Sequence, residues 1–436
     1  MRRFFVVIFL WLKATDCPAQ KILSVEEAIA TALKNNYDIQ LAKNDSIIAA
    51  LDYSYKNAAF FPRLNANTGI VFNNNNQYQK FNDGTIRERK GVRSDNLTAS
   101  LSLNWTLFDG LRMFATRDKL AEFVKLGELG IRNQVINTVA TVINTYYSIV
   151  RQKQQLRAIE EQISISQERV KLAQYKLDIG VGAKPDVLQS KVDLNAQKAA
   201  QLEQQTLISQ LKDQLNQLMN SNGAEYDVDD SIHINKNLSL ADLQNNIETT
   251  NSALLIAQKN IDIAALTLKE RKADRFPVIS FNSNYNFNKI DNRVVVNPFQ
   301  PLFSRNSGLN YGLTATIPIF NNYNVKRLIQ QAERDIAFRR LSYDNQKSVL
   351  SLAVLNAWKN YEWQKKALNL EEESILLAKE NVDIVLEVYR LNSTTLIQLK
   401  EAQKSLQDAR TRLINARYNT KLAETELLRL KGELVK

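Results

Sequence analysis

Residues able to do chemistry are few and badly placed for it. The chain has one His, His233, and one Cys, Cys17. A zinc cluster, a Cys or His catalytic centre and a disulfide framework each need more of these residues than are present. Asp and Glu are scattered without the paired spacing that acid–base catalysis requires. The segment Gly180-Val181-Gly182 follows a helical pattern instead of a strand, so it is no phosphate-binding loop. His233 stands alone in a polar stretch. We expect no catalytic, cofactor-binding or metal residues, and no enzyme.

The elements that remain must carry function through shape. Gly and Pro number 12 and 7 in 436 residues, well below the usual share, which favours long uninterrupted helices over a frequently turning fold. Met1-Arg2-Arg3, the apolar run Phe4 to Leu12 and the small residues ending at Ala19 form a secretory signal, with cleavage expected after Ala19. The run is too short to anchor the chain in a bilayer. Cleavage removes Arg2, Arg3, Lys13, Asp16 and Cys17, lowering the net charge from +11 to +9. Lipidation of Cys17 is disfavoured by Asp16 before it.

The chain is a duplication. Asn36, Leu41, Ala42, Ala49, Ala50, Leu51 and Pro62 recur 215 positions later as Asn251, Ile256, Ala257, Ala264, Ala265, Leu266 and Pro277. Leu107-Phe108-Asp109 recurs 212 later as Ile319-Phe320-Asn321, as do Leu194, Leu211, Leu215 and Leu218 as Leu406, Ala423, Leu427 and Leu430. Each unit reads helix, strand, strand, long helix, break, long helix. We place repeat 1 at 20–219, with strands at 63–73 and 96–108 and long helices at 112–178 and 185–219. A linker, 220–243, is expected outside the helical tube. Repeat 2 spans 244–436, with strands at 278–288 and 308–320 and long helices at 323–390 and 396–432. The first helix, Ser24 to Ala59, opens with a capping box of Ser24 and Glu27 and ends at Pro62.

Leu97, Ala99, Leu101, Leu103, Trp105 and Leu107 alternate with Thr98, Ser100, Ser102, Asn104 and Thr106, a strict period of two. Ile279, Phe281, Tyr285 and Phe287 alternate with Ser280, Asn282, Asn284 and Asn286; Leu309 to Ile319 follow the same rule. At about 10 residues each, these segments suit tilted transmembrane strands, and an uncharged polar face of Ser, Thr and Asn suits an aqueous lumen. The segments Asn73 to Asp95 and Asn288 to Ser307 read as long polar loops. Four strands cannot close a barrel, and an open edge in lipid is untenable, so the chain must oligomerise. Spacing alone leaves eight strands from two copies and twelve from three both open. Apolar residues from Val135 to Leu177, and Leu399, Ala402, Leu406, Ala409, Leu413, Ala416, Thr420, Ala423, Leu427 and Leu430, form seams at spacings of three and four. Both ends of each strand pair lead into helices, so the helices project to the periplasmic side. The alternative is a soluble periplasmic coiled-coil scaffold whose strands make a small sheet. Nucleic-acid binding, suggested by the basic balance, fails because Lys and Arg alternate with Glu and Asp along the helices.

Several segments resemble the TolC-like outer membrane efflux protein family. They are Val25-Glu26-Glu27-Ala28-Ile29 with Ala32-Leu33 and Asn35-Asn36, Phe61-Pro62, Leu107-Phe108-Asp109-Gly110, Ile179-Gly180 to Asp186-Val187-Leu188, and Tyr389-Arg390-Leu391 to Leu399 and Ala402. The likeness covers nearly all of the chain beyond the signal. It implies a mainly α mixed fold: a homotrimer with a 12-stranded outer membrane β-barrel and a long periplasmic α-helical barrel. It implies the exit duct of a tripartite efflux pump or type I secretion system, contacting a periplasmic adaptor protein directly and an inner-membrane pump indirectly. Carried over by position, Asp186, Gln189, Gln398 and Glu401 line the periplasmic constriction, with charge kept only at Asp186 and Glu401. Tyr389 matches a gate tyrosine, whereas Thr394 occupies a gate-arginine position. Ile179, Gly180 and Val181 fit the adaptor-contact tip, with Asn392 in place of glycine at the second tip.

Overall fold

The computed structural model describes residues 21–221, 226–235, 237–391 and 393–434. The expected signal, Cys17 and Asn392 lie outside them. In chain order the elements are β1 (Lys21–Leu23), α1 (Val25–Asn35), α2 (Tyr37–Ser54), β2 (Arg63–Lys80), β3 (Ile86–Phe108), α3 (Arg112–Asp178), α4 (Lys184–Met219) and β4 (Tyr226–Val228). They continue with α5 (Leu240–Gln244), α6 (Ile247–Thr250), α7 (Ser252–Ala273), β5 (Val278–Asn292), β6 (Phe303–Thr316), α8 (Asn324–Arg390) and α9 (Leu396–Lys431). The chain is mainly helical. Among the described residues no helix is long and apolar enough to cross a membrane.

Two compact units are formed. The first comprises the chain up to Ala42, Ile131–Ser252, and Lys347 onward. Its core joins Val139, Val142, Tyr146, Ile149 and Val150 of α3 to Ala28 and Ala32 of α1 and Leu215 of α4. Every seam residue expected on α9, from Leu399 to Leu430, is buried, because Leu and Ala at spacings of three and four share one side of a helix. Ser24 caps α1, its hydroxyl accepting from the Glu27 N–H at 3.1 Å. The connector after α4 is structured: β4 pairs in parallel with β1, and Tyr226 and Val228 enter the core. The Tyr146 hydroxyl donates to the Leu23 carbonyl at 2.8 Å and accepts from the Asp229 N–H at 3.1 Å. Burial pushes its pKa up to about 12, so it remains a neutral donor.

The expected continuous first helix is broken at Asn36. Its backbone is extended (φ −61°, ψ 131°), and its buried side chain accepts from the N–H groups of Asp38 and Ile39 at 2.9 and 3.2 Å while donating to the Leu218 carbonyl at 2.8 Å. Asn favours such local bonds over helix continuation, so it ends one helix and caps the next. Asn251, its counterpart by sequence, donates to the Leu430 carbonyl at 2.8 Å.

The second unit, Lys43–Gly130 with Ala253–Gln346, holds a four-stranded antiparallel sheet in the order β2-β3-β5-β6. Its strands outrun the expected spans. β2 and β3 remain paired from Asn73↔Ser94 to Lys80↔Ile86, and β5 and β6 from Asn288↔Asn306 to Asp291↔Phe303. Segments read as loops are therefore largely paired ribbon: main-chain pairing needs no apolar alternation, so Asn- and Arg-rich stretches continue the ladder unseen by a hydrophobicity pattern. β6 stops at Thr316 instead of 320, since Pro318 has no N–H to donate. At the strand-to-helix joint, Asp109 accepts from the Met113 N–H at 3.1 Å. Gly110 there has φ +71°, and an added Cβ would lie 2.5 Å from the Ala273 carbonyl oxygen.

Candidate functional site

Two regions carry the candidate chemistry: the faces of the sheet, and the ends of the long helices in the first unit. Register and strand alternation put Leu64, Ala66, Thr68, Ile70 and Phe72 of β2 on one face. Leu97, Leu101, Leu103 and Trp105 of β3, Phe281, Tyr285 and Phe287 of β5, and Leu309, Tyr311 and Leu313 of β6 join them. Large apolar side chains here stand open: Leu64 is 62% exposed, Phe72 70%, Tyr311 75% and Leu313 69%. An apolar sheet face of this size left uncovered marks a surface meant for lipid or protein. The opposite face is polar and uncharged at its centre. Asn104 donates to Asn282 at 2.6 Å, Asn282 to Thr314 at 3.1 Å, and Asn284 to Asn286 at 2.9 Å. Such a face can be wetted without holding an ion tightly.

At the first tip, α3 ends at Asp178 and α4 begins at Lys184. The N–H groups of Gly180 and Val181 donate to the Leu177 and Lys176 carbonyls, each at 3.0 Å. This closes the helix through a left-handed residue at Gly180, φ +81°. The turn leaves Ile179 and Val181 53% and 69% exposed. Asp186 is exposed in the first turn of α4, where the helix dipole favours a carboxylate. At the second tip Thr395 and Gln398 form a capping box: the Gln398 side chain accepts from the Thr395 N–H at 3.2 Å, and Thr395 Oγ1 accepts from the Gln398 N–H at 3.3 Å. Thr394 also bonds Gln398 Oε1. The Gln398 carbonyl is thus committed to holding the start of α9. Glu401 is exposed. Among the described residues no hydrogen bond or ion pair joins Asp186 to Glu401. Tyr389 is buried, with Lys176 Nζ 4.0 Å from its ring centroid, a cation contact across the tip helices where the family resemblance offered only Thr394 at a gate-arginine position.

A charged cluster not legible from spacing links these helices. Asp193, two turns into α4, pairs with Lys400 of α9 at 2.7 Å and Arg169 of α3 at 3.1 Å, and accepts from Gln189 at 2.9 Å. Arg169 is 8% exposed and also reaches Gln403 at 3.3 Å. Burial opposes ionisation of Asp193 and is the largest single influence. Hydrogen bonds from Lys400 and Gln189 with the charges of Lys400 and Arg169 outweigh it and hold the carboxyl below its ordinary value. Gln189 is therefore tied into an ion cluster. The one available signal was the i, i+4 spacing of Gln189 and Asp193. Beside the cluster, Leu172, Tyr175, Val382 and Leu399 line a cleft of about 690 Å³.

A sheet with one apolar and one uncharged polar face, together with long helices closed by hairpin tips, is the setting in which likeness to known proteins decides identity. The sequence model for the outer membrane efflux protein family matches residues 28–224 and again 243–433. The chain belongs to the outer membrane efflux protein family. No curated protein matches it. Among solved structures it is similar to the CmeC outer membrane channel of Campylobacter jejuni, at TM-score 0.78 and 15% identity, over 94% of this chain and 86% of that one. It is also similar to CusC (TM-score 0.77, 18% identity, 94% and 92% covered). VceC, an outer membrane protein of Vibrio cholerae, gives TM-score 0.74 and 14% identity over 94% and 96%. At such identities these likenesses speak for the fold. Family membership locates the protein in the outer membrane with its large helical part in the periplasm, and it is a family of channel proteins, not of enzymes.

Proposed function

We propose that the protein is the outer membrane exit duct of a tripartite efflux pump or type I secretion system, conducting substrates passively as a homotrimer. The observation carrying this is the sheet: one face apolar and exposed, the other uncharged and polar, with β2 and β6 open at its edges. Unpaired edges in lipid leave several backbone groups unsatisfied, and pairing β6 of one copy with β2 of the next removes them all. Three copies close twelve strands. The two internal repeats, 20–219 and 244–436, each supply two strands and two long helices to this assembly, joined by the 220–243 linker. A soluble scaffold would have little use for the open apolar face.

The mature chain is expected to lack cysteine, so Ala66→Cys on β2 combined with Leu309→Cys on β6 makes a clean probe. A bifunctional thiol reagent is expected to give a ladder ending at three chains; a product ending at one chain would reject the trimer.

The periplasmic end is proposed as the gate, with Asp186 and Glu401 as its charged ring and Gln189 and Gln398 as neutral members shaping it. Tyr389, held by Lys176, packs the tip helices. Ile179, Gly180 and Val181, with Asn392 at the second tip, are proposed to meet the periplasmic adaptor, since a rigid turn presenting two exposed aliphatic side chains suits docking. The double change Asp186→Ala with Glu401→Ala should weaken block by multivalent cations about tenfold or more in conductance recordings. Block unchanged would put the ring elsewhere.

A further inference from the structure

The apolar face of the sheet carries charge at one end only. Towards the helices it is lined by Leu64, Leu103, Trp105, Ile279, Phe281, Leu313 and Ala315, and the nearby Arg63 pairs with Asn104 on the polar face. Towards the hairpins the same face turns basic. Lys289 pairs directly with Leu97, and Arg305 with Lys289. Arg93 follows four residues beyond Leu97 on that face, about 13 Å along the strand, and the Arg293 N–H donates to its carbonyl at 3.1 Å. Beyond the register shift at Asn75/Gln77, Arg89 and Arg87 pair with Gln77 and Gln79 and fall outside this row. Two carboxylates share the face, Asp95 and Asp291, and Asp95 engages Arg293 at 3.5 Å. At the same height the polar face carries Ser94, Asn96, Asn288, Asn292, Ser304 and Asn306. At the height of Arg93, Lys289 and Arg305 the cations are therefore confined to one side, which solvation of strand ends does not explain.

Like charges directly across a strand pair are destabilising, yet Lys289 and Arg305 are such a pair. Aromatic rings hold them: Lys289 Nζ lies 5.6 Å from the Phe303 ring and the Arg305 guanidinium 5.8 Å from the Phe287 ring. An anion between them would relieve the repulsion. The headgroup layer adds about 5–7 Å beyond the hydrocarbon on each side. A strand tilted by about 40° therefore carries Lys289, Arg305, Arg93 and Arg293 across that layer.

We propose that Lys289, Arg305, Arg93 and Arg293 form a belt that docks the phosphates of anionic outer-leaflet lipid, with Phe287 and Phe303 as its interfacial anchors. The proposal rests on the barrel reading above, which turns this face to lipid. The surface fits a lipid bearing more than one phosphate, because three of the cations stand on three different strands and Arg293 directly follows β5. Each adds roughly fivefold to affinity for an anionic surface.

The test is native mass spectrometry of the detergent-solubilised full chain. The probes are lipid A, which carries two phosphates on a glucosamine disaccharide, its dephosphorylated form, and inorganic phosphate. Conductance in phosphatidylcholine bilayers is recorded in parallel. The wild type should retain lipid A over the dephosphorylated lipid. The combination Arg93→Gln, Arg293→Gln, Lys289→Gln and Arg305→Gln should need at least about tenfold more lipid A while conducting as before. Arg93→Lys, Arg293→Lys and Arg305→Lys together should keep the preference. If the fourfold variant does not assemble, Lys289→Gln with Arg305→Gln is read in the same way, with a loss of at least roughly fivefold. Equal lipid A retention by wild type and Gln variants, with conductance intact, overturns the belt and leaves the channel standing. Inorganic phosphate competing as well as lipid A overturns the lipid assignment. Absence of conductance in every form removes the barrel and the belt with it.

Discussion

Asp193 shows how much of the tip chemistry depends on partners far away in sequence. Its carboxylate ties α4 to Lys400 on α9 and to the buried Arg169 on α3. Its pKa is depressed in the folded state, so its contribution is present above the ordinary value of about 3.9 and lost as pH falls through the lower folded value. Asp193→Asn should cost about 2 kcal/mol locally at pH 7. Amide exchange in the first turns of α4 and α9 would rise accordingly, and the gap from wild type should close as pH falls through the depressed folded value of Asp193. Unchanged exchange at pH 7 would show that the cluster contributes nothing to holding the tip. Little of this was legible in the sequence. Helical spacing places Asp193 on a face with Gln189, but the side chain across from it depends on how two hairpin arms are aligned, which no local pattern encodes. Gln398 illustrates the reverse: S/T-x-x-Q chemistry at Thr395 was readable as a cap, whereas position within the family suggested only a constriction residue.

Asn36 and Asn251 lie 215 residues apart, and each reaches the carbonyl of a leucine near the end of a long helix, Leu218 or Leu430. The duplication seen as matching letters therefore recurs as a matching bond. Asn36→Ala and Asn251→Ala should each lower thermal stability by about 1–2 kcal/mol, since each leaves a buried carbonyl without its donor and Asn36 also caps α2. Calorimetry showing no loss for either would mean that water replaces the amide. At this scale the sequence was most informative where periodicity is strong. The Leu and Ala seam of α9 is buried throughout, and the period-two segments lie in the antiparallel sheet. It was least informative where hydrophobicity is silent. The polar ribbon beyond Asn73 is paired main chain, the helix break at Asn36 arises from side-chain capping, and β6 ends early for want of a proline N–H.

For the molecule as a whole, composition and patterning pointed to a conduit. Few helix breakers leave room for two helices of 67 residues, α3 and α8, and four strands carry an apolar face that a lone chain cannot cover. Charge, basic overall at +11, matters through placement more than total: paired along the helices and basic on one face of the sheet near the hairpins. Single-channel recording tests the central claim most directly. The purified, unheated protein added to planar phosphatidylcholine bilayers should give discrete, uniform conductance steps that boiling beforehand abolishes. A protein that stays soluble and monomeric without detergent, and leaves the bilayer unconducting, would contradict the account.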